Sequence, residues 1–277
     1  MAPIITVVTV CYNSERTIQR TIESVIKQDL SDIEYLIVDG ASTDKTLGII
    51  EDNRDRFGDT LRIISEPDKG WYDAMNKGIH NAKGAFIVFL NSDDYFDDGA
   101  IGKVINEIQK NGIGADSIVY GDSTNIYRNS KGEELFRRIN APDHISQNNR
   151  VLRDGMCGIR HQSMFTGRDV FKRVGELDLK YRLHADWDFL VKCIKQGVPM
   201  YHISENLTFY SMYGASTKPN CGERHLLRKD NELYNVIDWN YIRDRWGTKA
   251  IIKKIIGERK WNDLLFDVHK IRKGKGI

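Results

Sequence analysis

No CxxC pair occurs in this sequence. Its four cysteines, Cys11, Cys157, Cys193 and Cys221, follow no spacing that would suit a disulfide framework or a structural zinc, so a reducing compartment is the expectation. No GxGxxG follows the first apolar run and no GxxxxGK[ST] occurs anywhere, which leaves a dinucleotide-binding turn and a P-loop unsupported. No window reaches the roughly 18 apolar residues that would span a bilayer, and the opening "MAPIITVVTVCYN" carries no basic leader. A cytoplasmic protein, free or peripheral on the inner face of the membrane, is therefore expected. Internal repeats, low-complexity tracts and an obvious linker are absent as well.

What is present begins with uneven charge. The net charge is +2, yet residues 241–277 hold eleven Lys/Arg against four Asp/Glu, so a basic tail follows a mildly acidic body. Hydrophobic residues make up 40% of the chain and aromatics 10%, enough to bury a sizeable core.

Short β-branched runs alternate with helical patterns through the first 120 residues. "ITVVTVCYN", "EYLIVDG", "LRIIS", "AFIVFL" and "SIVYGD" read as buried strands. Ile18, Ile22, Val25 and Ile26 recur at helical spacing after Ser14, a candidate N-cap. "STDKTLGIIEDNRDRF", "YDAMNKGIHNA" and "AIGKVINEIQKN" supply one helix per further strand. A βαβα series predicts an α/β fold with a mostly parallel sheet, helices on both faces, and ligands at the C-terminal strand ends. Downstream, "GEELFRRINA" reads as a strand or hairpin piece, "SQNNRVLRDGMCGIRHQ" as loop, and "HADWDFLVKCIKQG" as a helix stopped by Gly197.

Polar residues gather at those strand ends: Tyr12 and Asn13, then Asp39, then Glu66 and Asp68, then Asn91, Ser92, Asp93 and Asp94. The last group follows an apolar run with no Lys or Arg beside it in sequence. Without a glycine cradle, nucleotide phosphates need another source of positive charge, and a divalent cation (Mn or Mg) held by carboxylates supplies one. Asp93 and Asp94 suit that role, whereas Asp97 and Asp98 read as helix N-terminal acids.

Taken in order, "VVTVCYN", "YLIVDGASTDKT", "SEPDKGWYDAMNKGIHNAKGAFIVFLNSDD" and "HADWDF" resemble the motifs of family 2 inverting glycosyltransferases of the GT-A, Rossmann-like nucleotide-diphospho-sugar transferase fold, of the bacterial surface-polysaccharide type. The resemblance covers roughly residues 4–214. It implies that Asp39 meets the nucleotide base, that Tyr12 and Asn13 line base and ribose, and that Asp68 belongs to a loop closing over them. It places Asp73, Asn91, Ser92 and His161 beside the donor sugar, and Gly214 at a hinge. It also makes Asp186 the catalytic base, with Asp188 as fallback. Two departures stand out: Asn91 occupies a position where the family commonly has Asp, and Ala185 one where it often has Glu.

The expected division is a nucleotide-sugar-binding half, 1–127, an acceptor-binding and catalytic half of the same domain, 128–218, and a helical basic extension, 219–277. The expected partners are a UDP- or GDP-linked sugar and a glycan or lipid-linked acceptor. In the tail, Ile251, Ile252, Ile255 and Ile256 oppose Lys253 and Lys254, a pattern suited to an anionic membrane surface, to packing on the domain or to a dimer contact. No nucleic-acid-binding module accompanies the basic tail. The rival readings are a nucleotidyltransferase, which usually carries a glycine-rich loop after the first strand, and a sugar-nucleotide-binding protein without turnover.

Overall fold

The computed structural model describes residues 2–128, 133–142, 158–212 and 221–233. Gly214, Cys157 and the basic tail lie outside the described residues. Among the described residues nine strands form one sheet: β1 (Ile5–Cys11), β2 (Ile33–Asp39), β3 (Leu61–Ser65), β4 (Phe86–Phe89), β5 (Tyr95–Phe96), β6 (Ile118–Arg128), β7 (Glu134–Asn140), β8 (Met164–Gly167) and β9 (Met200–Ser211). Their order is β3-β2-β1-β4-β8-β6-β9-β5, with β7 paired to β6 as a hairpin.

The four strands from β3 to β4 run parallel, as the alternating β and α segments predict. The sheet becomes mixed beyond them, because β8 enters antiparallel to both β4 and β6. The chain winds outward from β1 through β2 to β3, then returns to place β4 on the other side of β1. Strand order reverses there, and such a junction opens a crevice beyond the C-terminal strand ends. Tyr12 and Asn13 leave β1 into that crevice, and Asn91 to Asp94 follow the end of β4.

Both faces of the sheet are covered. On one side Ile5, Val7, Tyr35 and Ile37 pack with α1 (Ile18–Ile26), α2 (Thr46–Asp52), the short α3 (Arg54–Phe57) and α5 (Ala100–Asn111). On the other, Val8, Val10, Leu36 and Val38 pack with α4 (Trp71–Asn81), α6 (Arg168–Val174), α7 (Ala185–Lys195) and α8 (Cys221–Asp230). The period-2 alternation of strand side chains sends each set to its own helical layer. Each fully buried Ile or Val contributes roughly 1.5–3 kcal/mol. Gly78 lets α4 lie against β1, since a Cβ there would stand 2.5 Å from Val8 Cγ1.

Two local expectations change. The "STDKTLGIIEDNRDRF" segment is two short helices, α2 and α3, broken at Asn53. Helix α1 starts at Ile18 with Thr17 at its N-cap position, and no side chain caps it. Ser14 instead accepts the Thr17 and Ile18 amides through its carbonyl, each at 3.0 Å, while its hydroxyl meets the Ser92 hydroxyl at 2.9 Å. A hydroxyl drawn to a partner across the fold is no longer free to cap. Among the described residues, no helix is long and apolar enough to cross a membrane.

Candidate active site

A cavity of about 1010 Å³ opens at the β1–β4 junction. Eight of the sequence-predicted residues line it: Tyr12, Asn13, Asp68, Asn91, Ser92, Asp93, His161 and Asp186. Asp39, Asp73 and Asp94 do not, and each has a different structural position.

Asp39 ends β2 in register with Cys11 and Ser65 and is fully buried. Its carboxylate accepts the Ser65 hydroxyl at 2.7 Å, the Ser42 amide at 3.0 Å and the Ser42 hydroxyl, while the Cys11 thiol lies 3.6 Å away. Burial, reinforced by Asp39, pushes that thiol well above its ordinary range, which keeps it protonated. Asp39 thus orders the strand ends beside the cavity. At the next residue, Gly40, a Cβ would stand 2.4 Å from Asp68 Oδ2 and 3.4 Å from the Tyr12 ring.

At the mouth, Tyr12 is 62% exposed, an aromatic face left open. Asn13, in the left-handed region at φ 48°, accepts the Thr43 amide at 2.9 Å and donates its own amide to Ser42, tying the β1 and β2 loops together. Asp44 belongs to the same tie, accepting the Thr46 and Glu15 amides. Asp68 Oδ1 accepts the Gly70 amide at 2.8 Å, and Asp73 accepts the Lys69 amide at 2.9 Å. Asp73 therefore closes the turn into α4 rather than lining the cleft.

The acidic cluster divides. Asp94 is fully buried; Gln162 Nε2 donates to its Oδ2 at 2.6 Å and the Ser211 amide to its Oδ1 at 2.8 Å. Burial, with Asp93 adding to it, holds the Asp94 carboxyl well above the usual carboxylate range. Asp93 faces the cleft, and burial raises it too, against the pull of Arg20 and His161. No side chain among the described residues donates to its carboxylate. The sequence neighbourhood of the cluster holds no cation, but the fold brings Arg20 from α1, which donates to the Asp93 carbonyl at 2.7 Å and lies over the Tyr95 ring at 4.8 Å. Asp97 and Asp98 do not cap α5, which no side chain caps; Asp97 instead accepts Asn206 Nδ2 at 2.8 Å.

Among the described residues no group of three acidic, His or Cys ligands could hold a metal ion, but Asp93 and Asn91, which both line the cleft, carry hard oxygens of the kind a divalent cation takes. A cation here would draw its remaining ligands from diphosphate oxygens and water. Asp94 has both oxygens engaged elsewhere.

The cavity lining also carries Asp186, in the first turn of α7. Tyr72 donates to its Oδ1 at 2.8 Å, and His161 Nδ1 meets its Oδ2 at 2.9 Å. Burial alone would raise this carboxyl, but His161 and then Tyr72 outweigh it and hold Asp186 at about 2. His161 Nε2 and Trp187 Nε1, in the same lining, have no partner among the described residues. Asp188 is buried away from the cleft, bonded to Asn231 at 2.6 Å and Lys192 at 2.6 Å, so it docks α8 on α7. His202 pairs with Asp122 at 2.9 Å, and His184 lies 3.6 Å from Glu223.

Sequence reasoning passed over Tyr72 and Arg20. Tyr72 stands among buried helix positions and reads as core, and nothing near Arg20 in sequence points to an acid 73 residues away.

A family model described as glycosyl transferase family 2 matches residues 6–175. A curated relative from Mycobacterium bovis (strain BCG / Pasteur 1173P2), a PGL/p-HBAD biosynthesis glycosyltransferase, is 32% identical over 197 residues, 69% of this chain and 70% of that one. The S. aureus TarS 1–349 structure superposes with TM-score 0.56 at 20% identity, covering 75% of this chain and 60% of that one. The mannosyltransferase PcManGT from Pyrobaculum calidifontis, in complex with GDP-Man and Mn2+, gives TM-score 0.60 at 14% identity, covering 98% of this chain and 81% of that one. The order of motifs, the GT-A architecture and the family match agree, and this chain belongs to glycosyl transferase family 2.

Proposed function

We propose that the protein transfers a sugar from a nucleoside diphosphate donor, UDP- or GDP-linked, to a hydroxyl of a glycan or lipid-linked glycan, with inversion at the anomeric carbon, in the synthesis of a cell-surface polysaccharide. The observation carrying this reading is that Asp186 and Asp93 line the same cavity, one carboxylate held by side-chain donors and the other left open to a cation. Solved relatives bound to UDP-GlcNAc and to GDP-Man with Mn2+ support a nucleotide-sugar donor.

In this reading the donor base stacks on Tyr12, and the loop carrying Asp68 closes over base and ribose. Asp93 and Asn91 would hold Mn²⁺ or Mg²⁺, which would offset charge on the departing diphosphate. The acceptor oxygen attacks the anomeric carbon from the side facing Asp186, the bond to the diphosphate oxygen breaks with its electron pair, and the hydroxyl proton passes to Asp186. Work at the cytoplasmic face of a membrane follows if the acceptor is lipid-linked, with the basic tail as the contact to anionic lipid.

A panel of nucleotide sugars with and without Mn²⁺, with the product anomer read by NMR, tests the proposal. Donor-dependent transfer with inverted configuration is expected. Asp186→Asn should lower kcat at least about 100-fold, the scale of general-base catalysis, with donor binding intact. A retained anomer, or an Asp186→Asn enzyme of near-normal turnover, would overturn it.

A further inference from the structure

We propose that Tyr72 is the positioning residue for Asp186, fixing from α4 the orientation in which that carboxylate meets the acceptor. The inference rests on the reading of Asp186 as the base and adds to it a residue that acts through Asp186.

The geometry has three parts. First, the Tyr72 ring is 6% exposed and packs among the core side chains of its sheet face, with Trp71 edge-on at 5.9 Å. A buried phenol normally directs its hydroxyl to a permanent acceptor, and here that acceptor is Asp186 Oδ1 at 2.8 Å, 114 residues along the chain. Second, His161 occupies the other oxygen from the short turn His161–Ser163. One donor leaves a carboxylate free to rotate about χ2; two donors from two elements fix its plane. The Asp186 side chain stays 29% exposed, so its remaining lone pairs are available on the cleft side. Third, Tyr72 lies next to the donor loop. The Asp68 bond to the Gly70 amide and the Asp73 bond to the Lys69 amide build the turn from which Trp71 and Tyr72 begin α4. The loop assigned to the donor and the group holding the base are thus one continuous piece of backbone.

A hydroxyl donating to the ionised carboxylate also keeps it ionised. Tyr72→Phe removes that donor and keeps the ring that fills the core. It is expected to lower kcat about tenfold or more, the scale on which small misplacements act, with donor KM within about twofold. The acid limb of the kcat profile should move to higher pH, a change that mere loosening of the fold would not produce. In the Asp186→Asn background the same substitution should add no further loss, because nothing is left to position. An independent reading on the unaltered enzyme is the carboxyl ¹³C titration of Asp186, assigned by its loss in Asp186→Asn, with a midpoint below the ordinary carboxylate range.

Transfer and acid limb unchanged in Tyr72→Phe, with Asp186→Asn inactive, would overturn the positioning role and leave the base intact. Near-normal transfer by Asp186→Asn would overturn both. If Tyr72→Phe does not fold, the wild-type titration still decides: an ordinary midpoint for Asp186 overturns the inference.

Discussion

Gln162 Nε2 donates to Asp94 Oδ2 at 2.6 Å, joining the turn before β8 to the acidic cluster after β4. With the Ser211 amide on the other oxygen, Asp94 is the buried knot between three segments of the sheet, while Asp93 beside it opens to the cleft. The two neighbours should therefore fail differently.

Asp94→Ala leaves an amide NH₂ and a backbone N–H unpaired in the interior, and is expected to destabilise the protein by about 2 kcal/mol or more. Asp93→Ala should change stability by less than about 0.5 kcal/mol while abolishing the response of turnover to Mn²⁺. Thermal unfolding and a Mn²⁺ titration of each variant check this. The reverse pattern would exchange the two roles.

Gly40→Ala tests the proposed contact of the Asp68 loop with the donor. The added methyl would meet Asp68 Oδ2 at 2.4 Å, so the Asp68 loop must shift. A rise in donor Kd of about tenfold is expected with kcat less affected, the pattern of lost ground-state binding. Calorimetric titration with UDP and GDP measures it. Unchanged affinity would mean that the loop does not touch the nucleotide.

Tyr12→Ala removes the exposed ring at the mouth. Stacking of a base on an aromatic side chain is worth about 1–3 kcal/mol, so donor affinity should fall about 5- to 150-fold. The melting temperature should stay within about 1 °C, because a ring that is 62% exposed contributes little to the core. Tyr12→Phe should restore affinity, since the face and not the hydroxyl does the stacking.

Asp186 gives a pH signature in stability. Its folded value is depressed from 3.8 to about 2, so its contribution is present above pH 4 and is lost as pH falls through about 2. Integrated over that window the contribution is about 2 kcal/mol. Asp186→Asn should therefore lose about that much less stability than the unaltered protein between pH 4.5 and pH 2. Urea unfolding at the two pH values compares them, and equal losses would show that His161 and Tyr72 do not hold the charge.

Much of the fold was legible. Strands β1 to β4 are short β-branched runs, and strand periodicity sends Val7 and Val8 to opposite faces whatever their surroundings. The placement of Tyr12 and Asn91 in the crevice follows from strand ends and a reversed strand order. Helix starts were less legible: Ser14 and Asp97 have the chemistry of caps, but their side chains bond Ser92 and Asn206 instead. Local hydrogen-bonding propensity does not register a partner that arrives by tertiary packing.

The sequence by itself determined the α/β architecture, the family and the set of acids from which a site could be made, because these depend on periodicity and on motif order along the chain. Only the tertiary structure decided which acids face the cleft. Asp93, Asp94, Asp186 and Asp188 are alike as residues and differ in their donors, which for three of them include a group 43 to 117 residues away. Burial and those donors set each carboxylate's charge and direction, and both are properties of the packed molecule.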